Sequence, residues 1–218
     1  MSKSACLLFL FLASNAWAIP QPVTPTDLSA ASWISVRLDV RNITGPAGTG
    51  RLEASDLRSR VQAANEVWAQ CSIRFTPKSA RNVAARDLGV AYEPKSQDDL
   101  SRLAGALNPH GFNNAIPFTV AGPWRFYDPQ SGLYLTGLGW AFTTDQGVIE
   151  RIGAMIDSQR VHLPVAGLLI AHELAHALSL PHVTEKDNLM GPGGTSKLTP
   201  DQCRQARGFA ATSLAAYR

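Results

Sequence analysis

Apolar and polar residues alternate along Trp33-Ile34-Ser35-Val36-Arg37-Leu38-Asp39-Val40. A period of two predicts a strand with one face buried. Gly45, Pro46, Gly48 and Gly50 then mark a loop. Beyond it Val61, Ala64, Val67 and Trp68 recur at spacings of three and four. That predicts a helix of about four turns, capped by Ser55 or Asp56 and ending near Cys71. Ile73-Arg74-Phe75 opens a second strand. A strand, a long helix and a strand make a βαβ opening, an order that many α/β folds share. Further strands are expected within Val83 to Tyr92, Phe118-Thr119-Val120, Trp124-Arg125-Phe126, Leu135 to Thr143, Val148 to Ile152 and Ala154-Met155-Ile156. A short helix is expected over Gln97 to Leu107, and turns at 108–111 and 127–132. Thr199-Pro200-Asp201-Gln202 is a helix start, with Thr199 as N-cap and Gln202 closing a capping box.

One apolar run breaks its own pattern. Val165 to Leu180 is long and apolar, yet holds His172, Glu173 and His176. It reads as a buried helix rather than a membrane span. Residues four apart on a helix share a face, so His172 and His176 aim two imidazoles at one point. Glu173 is rotated by about 100° from His172, beside that point rather than on it. Pro181 disfavours helix at Leu180 and stops the run. The chain can then turn back and bring His182 to the same point. Leu174 and Leu178 lie on another side and hold the helix in the core. Three imidazoles with room for water suit a catalytic zinc ion, and a carboxylate beside it suits the base for that water. Two histidines at this spacing can also be ordinary hydrogen-bonded core residues; the third histidine favours a metal.

His172-Glu173-Leu174-Ala175-His176-Ala177-Leu178-Ser179-Leu180-Pro181-His182 resembles the long zinc motif of the metzincin metallopeptidases, H-E-x-x-H-x-x-G-x-x-H. Asp187-Asn188-Leu189-Met190-Gly191-Pro192 is similar in place and composition to the family's methionine turn. The resemblance implies His172, His176 and His182 as ligands of one catalytic Zn2+, Glu173 as general base, and Met190 as the floor of the site. It implies an α+β fold: a twisted mixed sheet, a backing helix, an active-site helix, and a smaller C-terminal subdomain with one helix. It implies an endopeptidase in which Glu173 assists attack of zinc-bound water on a peptide carbonyl. An edge strand above the cleft would pair with extended substrate; Leu135 to Thr143, with Gly137 and Gly139, is a candidate edge, and the sequence does not single out the strand. Two departures stand out. Ser179 occupies the glycine position, where a left-handed backbone costs any other residue about 1–2 kcal/mol. No tyrosine follows Met190 closely, so a tyrosine ligand is not expected and water completes the site. Two other readings fit the motif: a secreted zinc-binding interaction domain without peptidase activity, and a zinc hydrolase of a non-peptide amide.

Residues 1–18 look like a cleavable secretory leader, with Lys3, the apolar stretch Ala5 to Ala13, and Ala16-Trp17-Ala18 as cleavage site. Residues 19–32 read as a Pro/Thr/Ser-rich tether too short to be a folded inhibitory prodomain. Residues 33–218 then form one catalytic domain. The expected destination is the periplasm or the medium, with no stable membrane insertion after cleavage. Cys6 leaves with the leader, and the remaining Cys71 and Cys203 suggest a disulfide in an exported protein. Two reduced, buried cysteines are the alternative. The formal net charge is only +3 and basic residues are scattered, which argues against nucleic acid as a partner. A protein or peptide substrate and a monomeric chain are expected. His110 and His162 read as solvated or structural, and Asn42-Ile43-Thr44 fits a glycosylation acceptor pattern.

Overall fold

The computed structural model describes residues 32–107, 115–123, 126–128, 133–135, 139–142, 153–157 and 163–212. The expected leader and most of the tether lie outside this set. So do His110 and its turn, residues 129–132, the strand expected at Val148 to Ile152, and His162.

Seven strands and four helices are described: β1 (Ile34–Thr44), α1 (Ala54–Trp68), β2 (Ile73–Ala84), α2 (Gln97–Leu107), β3 (Ile116–Ala121), β4 (Phe126–Asp128), β5 (Leu133–Leu135), β6 (Gly139–Phe142), β7 (Gly153–Asp157), α3 (Leu163–Ala177) and α4 (Pro200–Thr212). Five strands form one sheet in the order β2-β1-β3-β7-β6. The pairs β2–β1, β1–β3 and β3–β7 are parallel. β6 runs antiparallel to β7 and is the outer strand of the sheet among the described residues. β4 and β5 make a separate antiparallel pair.

The alternation in β1 explains its place. Val36, Leu38 and Val40 belong to the main core, with Phe118 and Val120 of β3 and Ile73 and Phe75 of β2. Ile43, of opposite parity, belongs to a second cluster with Leu100, Leu103 and Leu107 of α2. The sheet thus has apolar packing on both faces. Every residue of β3 is buried, as suits a strand between two others. Asp39 lies where the β1–β2 register shifts, joined to Arg41, Ser79 and Arg81 by hydrogen bonds and ion pairs. Burial pushes its carboxyl up, but Ser79, Arg41 and Arg81 outweigh this and leave it below the usual range.

α1 and α3 pack against each other. Leu57, Val61, Ala64 and Trp68 of α1 are fully buried, which is the face its periodicity predicts. Trp68 Nε1–H donates to the Ala171 carbonyl at 3.2 Å, one residue before His172. A Cβ at Gly167 would press into Ala63, so that glycine sets how closely the two helices approach. Among the described residues no helix is long and apolar enough to cross a membrane.

Several local expectations are corrected. The N-cap of α1 is Glu53, whose N–H donates to Asp56 Oδ2 at 3.3 Å, rather than Ser55 or Asp56. The strand expected within Val83 to Tyr92 ends at Ala84 and gives way to a 3₁₀ turn over Ala85–Leu88. Gly89 follows with φ +65°. The acceptor pattern at Asn42 is fully buried in β1, its Nδ2 donating to Gly50 O and Asn82 Oδ1. It presents no surface for glycosylation in the folded chain.

The helix over Gln97–Leu107 and the strands at Phe118-Thr119-Val120 and Ala154-Met155-Ile156 stand as expected. The capping box of α4 also forms. Gln202 N–H donates to Thr199 Oγ1 at 3.2 Å, and Thr199 N–H to Gln202 Oε1 at 2.8 Å. Cys71 and Cys203 are joined by a disulfide across 132 residues, with Cα atoms 4.9 Å apart. It ties the end of α1 to the first turns of α4.

Candidate metal centre

Helix α3 supplies the first half of the site. Leu174 and Leu178 are fully buried, as the face opposite the histidines should be, and this fixes the rotation of the helix. His172 and His176 are half-buried on the adjoining side, and Glu173 between them is buried.

The turn after α3 supplies the second half. Leu180 N–H donates to Ala175 O and Ser179 N–H to His176 O, each at 2.9 Å. This crossed pair is a Schellman ending, which requires a left-handed residue just past the helix. Ser179 is that residue, with φ +68°, so serine adopts the conformation for which the family motif uses glycine. Its carbonyl accepts a hydrogen bond from Gln205 Nε2 at 2.7 Å. Leu180 is buried in the main core, and the chain returns over Pro181 to His182.

Three side chains meet as a result. His182 Nε2 lies 3.2 Å from His172 Nε2 and 3.2 Å from His176 Nε2. One ring nitrogen from each histidine lies within 4.8 Å of the others. The protonation pattern follows from their partners. His172 Nδ1 faces the Leu189 carbonyl at 2.7 Å, and His176 Nδ1 faces the Leu180 carbonyl at 2.9 Å. Carbonyls only accept, so both Nδ1 atoms carry protons. Both Nε2 atoms then hold lone pairs in the neutral rings, aimed at one spot. His182 has one Nε2 and at most one proton on it. Two neighbours at 3.2 Å cannot both be served by that proton, so the cluster lacks a positive centre. Nitrogens bound tetrahedrally at about 2.0–2.1 Å from a zinc ion would sit roughly 3.3 Å apart, close to what is observed. The donor set fits a cation, and the two Nδ1–carbonyl bonds are the usual supports of metal-binding imidazoles.

Electrostatics agree with this reading. Burial, together with the rings of His172 and His182, pushes His176 down to about 3 against the opposing Leu180 bond. Burial lowers His172, with His182 adding to it and the Leu189 bond opposing. Burial lowers His182 as well, although it is the most exposed of the three. All three therefore keep their lone pairs at neutral pH. Burial alone pushes the Glu173 carboxyl up to about 8.

Met190 lies in the turn that follows His182. It is buried, its N–H donates to Asn188 Oδ1 at 2.9 Å, and its carbonyl accepts Val183 N–H at 3.0 Å. The segment that carries the third histidine is thus stitched to the turn that carries Met190. Asn188 is held by Gln202: Asn188 Nδ2 donates to Gln202 Oε1 at 2.8 Å, and Gln202 Nε2 donates back at 3.1 Å. A Cβ at Gly191 would collide with the Glu185 carbonyl, so this loop needs glycine there to close on itself.

The structure therefore brings together His172, His176 and His182, with Glu173 beside them in sequence and Met190 on the adjoining turn. The supports Gln202 and Gln205 were not visible as site residues in the sequence. Gln202 carried a local signal, as a capping residue; Gln205 carried none.

No protein-family model matches the chain, and no curated protein matches it significantly. Among solved structures, metalloproteinase-II from Bacteroides fragilis is similar, at 15% sequence identity and a TM-score of 0.49. The alignment covers 83% of this chain and 55% of that one, so this chain spans about half the length of that protein.

Proposed function

We propose that this chain is an exported zinc-dependent endopeptidase of the metzincin type. The observation that carries the reading is the convergence of the His172, His176 and His182 rings, with the buried Glu173 adjacent in sequence to His172. Three imidazoles from a helix and the turn after it would hold the ion. Imidazole donors suit zinc. Bound there, zinc would lower the pKa of water and polarise a carbonyl.

The chain's own residues account for the remainder. Glu173 takes the proton of the attacking water and delivers a proton to the leaving amine. A buried carboxyl held up near 8 is mostly protonated at neutral pH. A cation held by the three imidazoles would favour its charged form, leaving an ionised base available. The intact Glu173 separates a peptidase from a domain that only binds metal. β6 forms the antiparallel edge of the sheet and lies against α3. Its position suits pairing with an extended substrate backbone, which favours peptide over a small amide. The expected Leu135 to Thr143 edge contains this strand. The Cys71–Cys203 disulfide supports export to an oxidising compartment.

The test is metal analysis and cleavage of an unfolded protein by the purified chain. One zinc per chain, cleavage lost to a chelator and restored by zinc, is the expected result. A chain that binds no metal contradicts it.

A further inference from the structure

Ser179 stands between the helix that carries two of the histidines and the turn that carries the third. Its left-handed φ of +68° is costly for a residue with a Cβ. Something must hold the backbone there. Its carbonyl, at 2.7 Å from Gln205 Nε2, is the tie from outside the turn. Only the NH2 end of a glutamine can face a carbonyl, so the partner fixes the amide's orientation.

The peptide plane held in this way is the one joining Ser179 to Leu180. Leu180 N–H closes the helix end on Ala175, and Leu180 O receives His176 Nδ1–H. His182 follows two residues on. The donor itself stands on a fixed support. Gln205 is exposed on α4, two residues after the disulfide-bonded Cys203. Arg207 of the same helix donates to the carbonyls of Cys71, Ser72 and Ser32. Cys203, Ala206 and Ala210 face the core.

We propose that Gln205 is a positioning residue for the metal centre. By holding the Ser179 carbonyl it secures the left-handed turn that a glycine would adopt freely, and so fixes where His182 returns to the other two imidazoles. The inference rests on the metal-centre reading above.

The test uses the full chain and Co2+ as a spectroscopic probe, in four proteins: the parent, Gln205→Met, Ser179→Gly and the double variant. Methionine keeps the length and helix preference of glutamine but donates no hydrogen bond. Gln205→Met should weaken Co2+ binding about tenfold, the scale of a lost support behind a metal ligand, and alter the Co2+ absorption bands. Its metal-free melting temperature should fall only slightly, because Gln205 is exposed. In the S179G background the same substitution should change affinity far less, since glycine needs no tie. Unchanged Co2+ affinity in Gln205→Met overturns the proposal, as does an equal loss in both backgrounds. A parent chain that fails to bind Co2+ overturns the metal centre itself, and is seen before any variant is compared.

Discussion

The two halves of the metal centre are built by different means. His172, Glu173 and His176 ride on α3, whose Ile170, Ala171 and Leu174 are buried and whose neighbour α1 sends Trp68 to the Ala171 carbonyl. Apolar burial sets their position. His182 and Met190 ride on a segment, 178–198, with no regular helix or strand. Leu180, Leu189 and Met190 anchor it in the main core, and between these anchors position is set by single polar ties: Val183 N–H to Met190 O, Met190 N–H to Asn188, Asn188 to Gln202, and Ser179 O to Gln205. All of these lead to α4, which the disulfide joins to the end of α1. Burial distributes the helical half over many weak contacts, whereas the looped half depends on a few strong ones. Damage to the first should appear as lost stability. Damage to the second should appear as lost metal affinity.

The largest expected effect strikes the joint between the halves. Replacing Cys71 and Cys203 together by alanine frees a loop of 132 residues, which lowers stability by about 4–5 kcal/mol in the chain-entropy model. Denaturant midpoints of oxidised and variant protein measure it. A variant as stable as the parent breaks the idea that α4 is fastened through this bond. Next is Trp68→Ala. The side chain is fully buried, edge-on to Phe75 at 5.7 Å between ring centres. Its loss should cost about 3–5 kcal/mol, with metal affinity of the folded fraction little changed.

Asn188→Ala should do the reverse. It removes the acceptor for Met190 N–H and both bonds to Gln202, and should weaken metal binding about tenfold. Its stability loss should be smaller, about 1–3 kcal/mol for the donors left behind. Competition against a chelator and thermal melting, run on both variants, give the ranking. The opposite order would erase the comparison.

Much of the helical half was legible because its signals are local. The spacing of His172 and His176, the alternation of β1 and the periodicity of α1 each concern neighbours on one element. The α4 capping box was legible for the same reason, since Thr199 and Gln202 are three residues apart. The positive φ of Ser179 followed from the motif's glycine position. The ties that hold the looped half were not legible. Gln205 lies 26 residues from Ser179, and Gln202 lies 14 from Asn188. A side chain that meets a backbone carbonyl leaves no pattern at the carbonyl's position. Asn42 misled for a related reason: a three-residue acceptor pattern carries no information about burial. The strand expected within Val83 to Tyr92 was misplaced because Val83 and Ala84 are the paired end of β2, while Ala85, Leu88 and Val90 keep the segment apolar beyond it.

The last effect concerns pH in the metal-free protein. Glu173 is raised from 4.5 to about 8 on folding. Its contribution is therefore fully present below pH 4.5 and is lost as pH rises toward 8, where the unfolded chain ionises and the folded chain resists. Glu173→Gln removes this loss. The melting temperature of the variant relative to the parent should climb between those two values. The histidines act oppositely, since His176 is lowered from 6.5 to about 3 and favours the fold above 6.5. They are common to both proteins and cancel in the difference. A constant difference across the range would mean that Glu173 is not buried as an acid.

The most direct measurement is metal content and cleavage on the same samples of the parent and Glu173→Ala. The account predicts equal zinc in both, with cleavage of an unfolded protein reduced at least about 10²–10⁴-fold in the variant. Equal cleavage by both, with zinc bound in both, would contradict the role assigned to Glu173 and with it the proposed peptidase chemistry.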